Sequence, residues 1–312
     1  MSLLRQLLEK GSQLEKTHPR IGLYYCVIGV FSVAGVNITI KYSGKLPGAQ
    51  LIFYRSFVLF ALTSFFIQFC KLPGYFKGAV TNRKLYARGL NAFTLMFTQV
   101  IAVRILSLSE FQVLSSLSPI FTGIGGSLFL GEKFLMKYVY TFLICFIGLI
   151  LIAKPPILFP QMSATQNSYA DSSLRILGIG MSLINAFTVA NSGLLGKSLL
   201  KHMTNLEMFH YNGVFMTLLS GIQMLWTGVE IPTAFQALML LLGGIFEFLG
   251  RFFITRALKT ETAMVVSLIG YLGIVLTLLA DFFLFHIVLD VFAMFGIAII
   301  LTGVIGLAVS KK

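Results

Sequence analysis

Long apolar stretches alternate with short polar ones along the chain. Ten apolar spans of roughly 20 residues, the length a helix needs to cross a bilayer, run near 21–42, 48–70, 86–104, 110–130, 134–153, 174–198, 207–228, 233–255, 263–285 and 289–309. Each is a predicted transmembrane helix. The longest polar connection, 155–173, contains QMSATQNSYADSS and reads as a flexible linker between five spans and five. The pattern predicts an all-α integral membrane protein with a cytoplasmic tail (1–20), a first five-helix repeat (21–153), a linker (154–173) and a second five-helix repeat (174–310). In the tail, Leu3, Leu4, Leu7, Leu8 and Leu14 fall near one helical face, interrupted by Gly11. That suits a helix lying on the membrane surface; a loosely ordered tail suits it as well.

The two halves resemble each other. Adding 155 carries Arg20 to Arg175, Arg55 to His210, Gly89 to Gly244, Ala102 to Ala257, Arg104 to Lys259 and Gly148 to Gly303, although Pro119 goes to Ile274. One constant offset argues for duplication. Five helices per half is an odd number, so the second copy enters the membrane from the opposite side. This predicts inverted repeats with a site near the midplane between them.

Composition agrees. Of 312 residues, 57% are hydrophobic and 11% charged, with mean hydropathy +0.88, against about 25% charged in soluble domains. The runs are too long for a β-barrel. The net charge of +13 is not a nucleic-acid signal, because the basic residues lie between apolar runs and not on one soluble face. They are distributed unequally: with the N-terminus inside, 17 Lys and Arg fall in inner segments and 5 in outer ones, and Arg55 and Arg251 lie within spans. The positive-inside rule then puts both termini in the cytoplasm. Cys26, Cys70 and Cys145 fit neither a disulfide framework nor a metal site. Residues 1–20 lack the pattern of a signal peptide.

Residues 110–156 carry the most distinctive order of motifs. Ala102 is followed by Ser118, Pro119, Ile120 and Phe121, then Gly131, Glu132 and Lys133, then Gly148. Pro119 removes a backbone donor in mid-span, which lipid tolerates only where packed neighbours satisfy the freed group. Gly148 invites close approach of another helix. This order resembles the EamA repeat of the drug/metabolite transporter superfamily, most strongly over 86–153 and less over 231–310. The resemblance implies a ten-helix secondary transporter working by alternating access. That superfamily includes exporters of amino acids and drugs, and relatives that exchange nucleotide sugars or phosphorylated sugars. The repeat also keeps an arginine early in its second helix, as Arg55 is here. The second half departs from the pattern: at its turn, where the family often keeps an acid, this chain has His286.

Ionisable groups at membrane depth are costly unless they face a cavity or a partner, so they are candidates for the solute path. Arg55 and its repeat mate His210 can present positive charge to a cavity; Arg55 can equally snorkel to head groups. Glu247 and Arg251, at i and i+4 with Thr255 a turn further, form an expected ion pair. Such a pair is a gate, a proton-coupling site or a structural element. Asn37 with Lys41, Asn91 with Thr94 and Thr98, and Asn185 with Thr188 and Ser192 form polar faces at helical spacing. These bind solute or bond helix to helix. Tyr54, Tyr211 and Tyr271 offer rings and hydroxyls, for packing or for contact. Glu132 reads as a turn residue holding helix ends together, and Asp281 lies near the outer end of the ninth span.

No P-loop, dinucleotide turn, nucleophile elbow or metal cluster is present in the sequence, and His18, His202, His210 and His286 are scattered. The expectation is a non-enzyme without cofactor or metal. It would move a small organic metabolite across an endomembrane or plasma membrane, or alternatively a mitochondrial or other organellar one. The excess of interior Arg and Lys favours an anionic solute. Expected partners are the lipid bilayer and the solute, with a homodimer or larger membrane complex as a further expectation and no nucleic acid. The alternative function is a non-transporting structural subunit that keeps the fold.

Overall fold

The computed structural model describes residues 20–43, 46–70, 83–106, 108–133, 135–154, 172–200, 203–286 and 290–309. The expected tail (1–20) apart from Arg20, and most of the expected linker, lie outside them, as do the side chains of Cys70, Arg104 and Asp281. The described residues form helices α1 Ile21–Tyr42, α2 Gly48–Cys70, α3 Arg83–Ile105, α4 Leu108–Ser115, α5 Ser118–Leu130, α6 Met136–Ala153, α7 Ser172–Leu199, α8 Asn205–Thr227, α9 Ala234–Thr260, α10 Ala263–Ile269, α11 Tyr271–Phe285 and α12 Val291–Val309. No strand occurs among them. Among the described residues, eight stretches are long and apolar enough to cross a membrane: α1, Gly48–Phe69 of α2, Phe111–Leu130, α6, Leu174–Leu199 of α7, α9, Ala263–Leu284 and α12. The third and seventh predicted spans appear as α3 and α8, helices of 23 residues each that carry more polar side chains.

Two predicted spans are broken. The fourth is divided into α4 and α5 at Ser116 and Leu117, with Pro119 in the first turn of α5, where its missing N–H costs least. Ile120 N–H bonds to Leu117 O, and the Ser116 carbonyl accepts instead from the Tyr271 hydroxyl at 2.5 Å. Tyr271 thus satisfies one carbonyl that the break leaves without a helical donor. The ninth span breaks at Gly270, between α10 and α11.

The helices fall into two compact units, each drawing on both halves of the sequence. One comprises residues 1–93 and 195–261 and the other 94–194 and 262–312. In the first unit α1 packs on α9, and α2 on α8 and α9. Glycines permit the approach: a Cβ on Gly29 would meet Ile254 at 2.6 Å, and one on Gly213 would meet the Phe60 backbone at 3.1 Å. Leu59, Ile67, Leu85, Leu199, Met208, Phe209 and Phe248 form its buried apolar cluster.

In the second unit α6 packs on α12 and α5 on α10. Gly148 meets Gly296 backbone to backbone: a Cβ on Gly148 would lie 2.8 Å from the Gly296 carbonyl, and one on Gly296 would lie 2.5 Å from that of Gly148. The close approach expected at Gly148 is thus made by α12. Gly131, at φ 67°, ends α5 in the left-handed conformation. The Glu132 carboxylate then accepts the first N–H of α10, from Ala263, at 3.0 Å. Glu132 holds helix ends together, as expected, but the second end belongs to the other half. Lys154 and Asp290 pair the C-terminus of α6 with the N-terminus of α12.

Candidate functional site

The first unit gathers eight of the ten expected site residues: Asn37, Tyr54, Arg55, Asn91, His210, Tyr211, Glu247 and Arg251. Its polar centre is a triad. On α9, Glu247 and Arg251 face each other across one turn; Glu247 Oε1 accepts from Arg251 Nε at 2.8 Å and from Nη2 at 2.5 Å. Glu247 Oε2 faces Arg55 Nη1 on α2 at 3.7 Å, beyond hydrogen-bond reach. These side chains are 18%, 30% and 16% exposed for Glu247, Arg251 and Arg55, so most of each charge is removed from solvent. Gly243 lies against the stem of Arg55 and makes room for Thr39, since a Cβ there would lie 3.4 Å from Arg55 Cδ and 2.7 Å from Thr39 Oγ1. The expected pair on one helix is thereby tied to the expected arginine on another, a link that spacing along the chain does not show.

Arg55 is the least satisfied member. Its Nε is buried with no hydrogen-bond partner, and among the described residues its one ionic contact is the loose one to Glu247. Arg88 is a buried residue of α3. Its guanidinium lies over Gly196, where a Cβ would meet Nη1 at 2.6 Å, and it feels the like charge of Arg251. The signal that could have found it is its spacing of three from buried Asn91 on the same helix. Asn212 was also missed. It is 4% exposed, and neither polar atom of its amide has a partner among the described residues.

The remaining expected residues are placed less centrally. His210 Nδ1 lies 3.2 Å from Ser64 Oγ, and its ring packs on Phe60 at 4.9 Å and near Tyr211 at 5.8 Å. It binds α8 to α2. Tyr211 packs against the apolar cluster, Tyr54 sits edge-on to Phe53, and Asn37 is exposed while Thr39, two residues on, is buried.

Asn185 and Tyr271 belong to the second unit. Asn185 donates to Leu95 O at 2.8 Å and to Thr98 at 3.2 Å, and accepts from Ser115 at 2.7 Å. Tyr271 serves the broken α4–α5 span. Both hold helix to helix. No group of three metal-binding side chains occurs among the described residues.

Comparison with known proteins follows this architecture. The model of the EamA-like transporter family matches residues 20–154 and again 176–309. The pseudopaline exporter CntI of Pseudomonas aeruginosa is 25% identical over 297 residues, covering 93% of this chain and 97% of that protein. The probable transport protein YPL264C of Saccharomyces cerevisiae is 23% identical over 94% of this chain and 91% of its own. Solute carrier family 35 member G1 of Mus musculus is 26% identical over 82% and 70%. A solved crystal structure superposes with a TM-score of 0.76 at 11% identity, covering 91% of this chain and 95% of that one, and so shares the fold.

Proposed function

The chain belongs to the EamA-like transporter family, and from that premise we propose that it is a secondary transporter moving a small organic solute with an anionic group by alternating access. Membership makes it a multi-pass membrane protein whose named relatives are transporters. The observation that carries the finer reading is the triad: two guanidinium groups share one carboxylate in the core of a helical unit. A net positive interior is costly unless function requires it.

Further support comes from the repeats. Ser116 touches Tyr271 and Cys145 touches Ile300, each its own mate at offset 155, as a two-fold relation between the repeats would require. Ten spans in two inverted five-helix repeats follow if α3 and α8 also cross, and each is about 34 Å long at 1.5 Å per residue. Arg55, Glu247 and Arg251 would contact or gate the solute, with His210, Tyr211, Tyr54, Asn91 and Asn37 around them.

One observation favours the alternative, a structural subunit. Phe66, Phe248 and Phe252 stack in series, at 5.5 Å and 6.2 Å, within the same unit as the triad. Flux decides between them. Purified protein in liposomes should accumulate at least one member of a panel of organic anions, amino acids and nucleotide sugars. No flux of any of them would favour the structural subunit.

A further inference from the structure

We propose that Arg55 is the docking group for an oxyanion of the cargo, and that Glu247 is the resident counter-ion of the site while it is empty. This rests on the transport reading above and assigns its charge chemistry. Glu247 spends one oxygen on Arg251, which grips it through two nitrogens. Its other oxygen stands 3.7 Å from Arg55, close enough for attraction and too far for a hydrogen bond. Arg55 carries five donors in a planar fork. Among the described residues it makes no hydrogen bond, and its Nε is buried without a partner.

A guanidinium mostly withdrawn from water, with its buried Nε unpaired, is an unfavourable resting state. A carboxylate or phosphate satisfies it, because the fork matches two oxygens of such a group at once. Charge counting sets the sign. Arg55, Arg251 and Glu247 together carry +1, and buried Arg88 adds positive charge beside Arg251, so an oxyanion reduces an excess that the site already holds. A cargo with a carboxylate or a phosphate at this site therefore fits, whereas a cationic cargo group adds to that excess. Gly243 borders the stem of Arg55, and a Cβ there would meet Arg55 Cδ at 3.4 Å and crowd Thr39 Oγ1 at 2.7 Å. Glu247 selects sign in this arrangement. It holds Arg55 loosely enough for an incoming anion to replace it, and it keeps Arg251 paired throughout.

The test is thermal stability of the whole protein in neutral detergent, with lactate, inorganic phosphate or short-chain phosphatidylglycerol added and sodium chloride matching ionic strength. Lactate or phosphate should raise Tm by on the order of 5 °C near saturation, and their order tells carboxylate from phosphate. The rise should vanish in Arg55→Gln, shrink in Arg55→Lys, and grow in Glu247→Gln, where the resident competitor is gone. Arg55→Gln leaves Glu247 paired with Arg251, so it should fold; were it not to fold, the reduced shift of Arg55→Lys carries the test. A shift that persists in Arg55→Gln, no shift with either soluble anion, or a shift with the lipid alone would overturn the assignment. An Arg55-dependent shift in a protein that moves no solute supports the anion site and removes the transport reading. Transport indifferent to Arg55→Gln removes the anion site and leaves transport standing.

Discussion

At the residue scale, the triad is held by mutual neutralisation. Glu247 alone or Arg251 alone leaves a partner stranded in a low-dielectric interior, and breaking a fully buried pair costs about 3–5 kcal/mol. These side chains are 18% and 30% exposed, so a smaller loss, about 2 kcal/mol, is expected for Glu247→Gln or Arg251→Gln. Glu247 is also the one ionic contact of Arg55 among the described residues, so the double change Glu247→Leu with Arg251→Leu should recover stability only when Arg55→Leu is added. If the triad only packs helices, flux recovers with it; if the triad handles solute, the triple variant melts like the wild type and transports nothing. Detergent melting measured beside liposome flux separates the two. Tyr271→Phe provides the contrast. It strips the Ser116 carbonyl of its donor, an expected loss of about 1–2 kcal/mol, and it should leave the affinity for solute unchanged. Altered affinity in Tyr271→Phe would return Tyr271 to the solute path.

At the scale of elements, close helix approach is written in glycines and helix ends in charge. The Gly148–Gly296 contact leaves no room for a side chain on either helix. Gly296→Leu must therefore push α12 from α6, and it should abolish recovery of folded protein, whereas Gly306→Leu should be tolerated, because a Cβ at Gly306 meets nothing within 4 Å. Monodisperse yield on size-exclusion chromatography reads this, and equal yields would refute the packing. Glu132 caps α10 across 131 residues of sequence; Glu132→Ala should cost about 1 kcal/mol, the ordinary value of a cap.

The ends of α6 and α12 respond to acid. Partial burial raises the Asp290 carboxyl, but hydrogen bonds from Lys154 and the Ala293 and Phe292 amides outweigh it and hold it below its ordinary 3.8. A lowered acid pKa contributes stability above the unfolded value and loses it as pH falls through the folded value. The Lys154–Asp290 pair should thus stabilise throughout the neutral range and fail only below about pH 4. The melting curve of Asp290→Asn against pH checks this. A wild-type advantage that disappears already near pH 6 would contradict it.

At the scale of the molecule, orientation follows from 17 basic residues on one side and 5 on the other. Single cysteines at Thr81 and Ser172 should label from opposite sides, Ser172 from outside. Labelling of Thr81 from outside with Ser172 protected would reverse the topology. The inverted repeat makes a separate demand: residues 21–153 should superpose on 176–309 after about half a turn around an axis in the membrane plane. Superposition only about the membrane normal would make the offset of 155 a coincidence.

Residues and local patterns determined a good deal by themselves. Apolar length specified the helices, because lipid obliges each spanning segment to satisfy its own backbone. Pro119 marked the break in the fourth span, Gly148 the close approach, and Glu247 with Arg251 the ion pair, since each depends on chemistry within a turn or two. The reach of Arg55 to Glu247 across 192 positions, the burial of Arg88 and Asn212, and the use of Asn185 and Tyr271 to hold helices together were decided only in three dimensions. A helical pattern reveals which residues share a face but not which helix comes to meet that face. The partner of each polar group, and whether any of its donors stays unspent, is settled by packing between segments far apart in the chain.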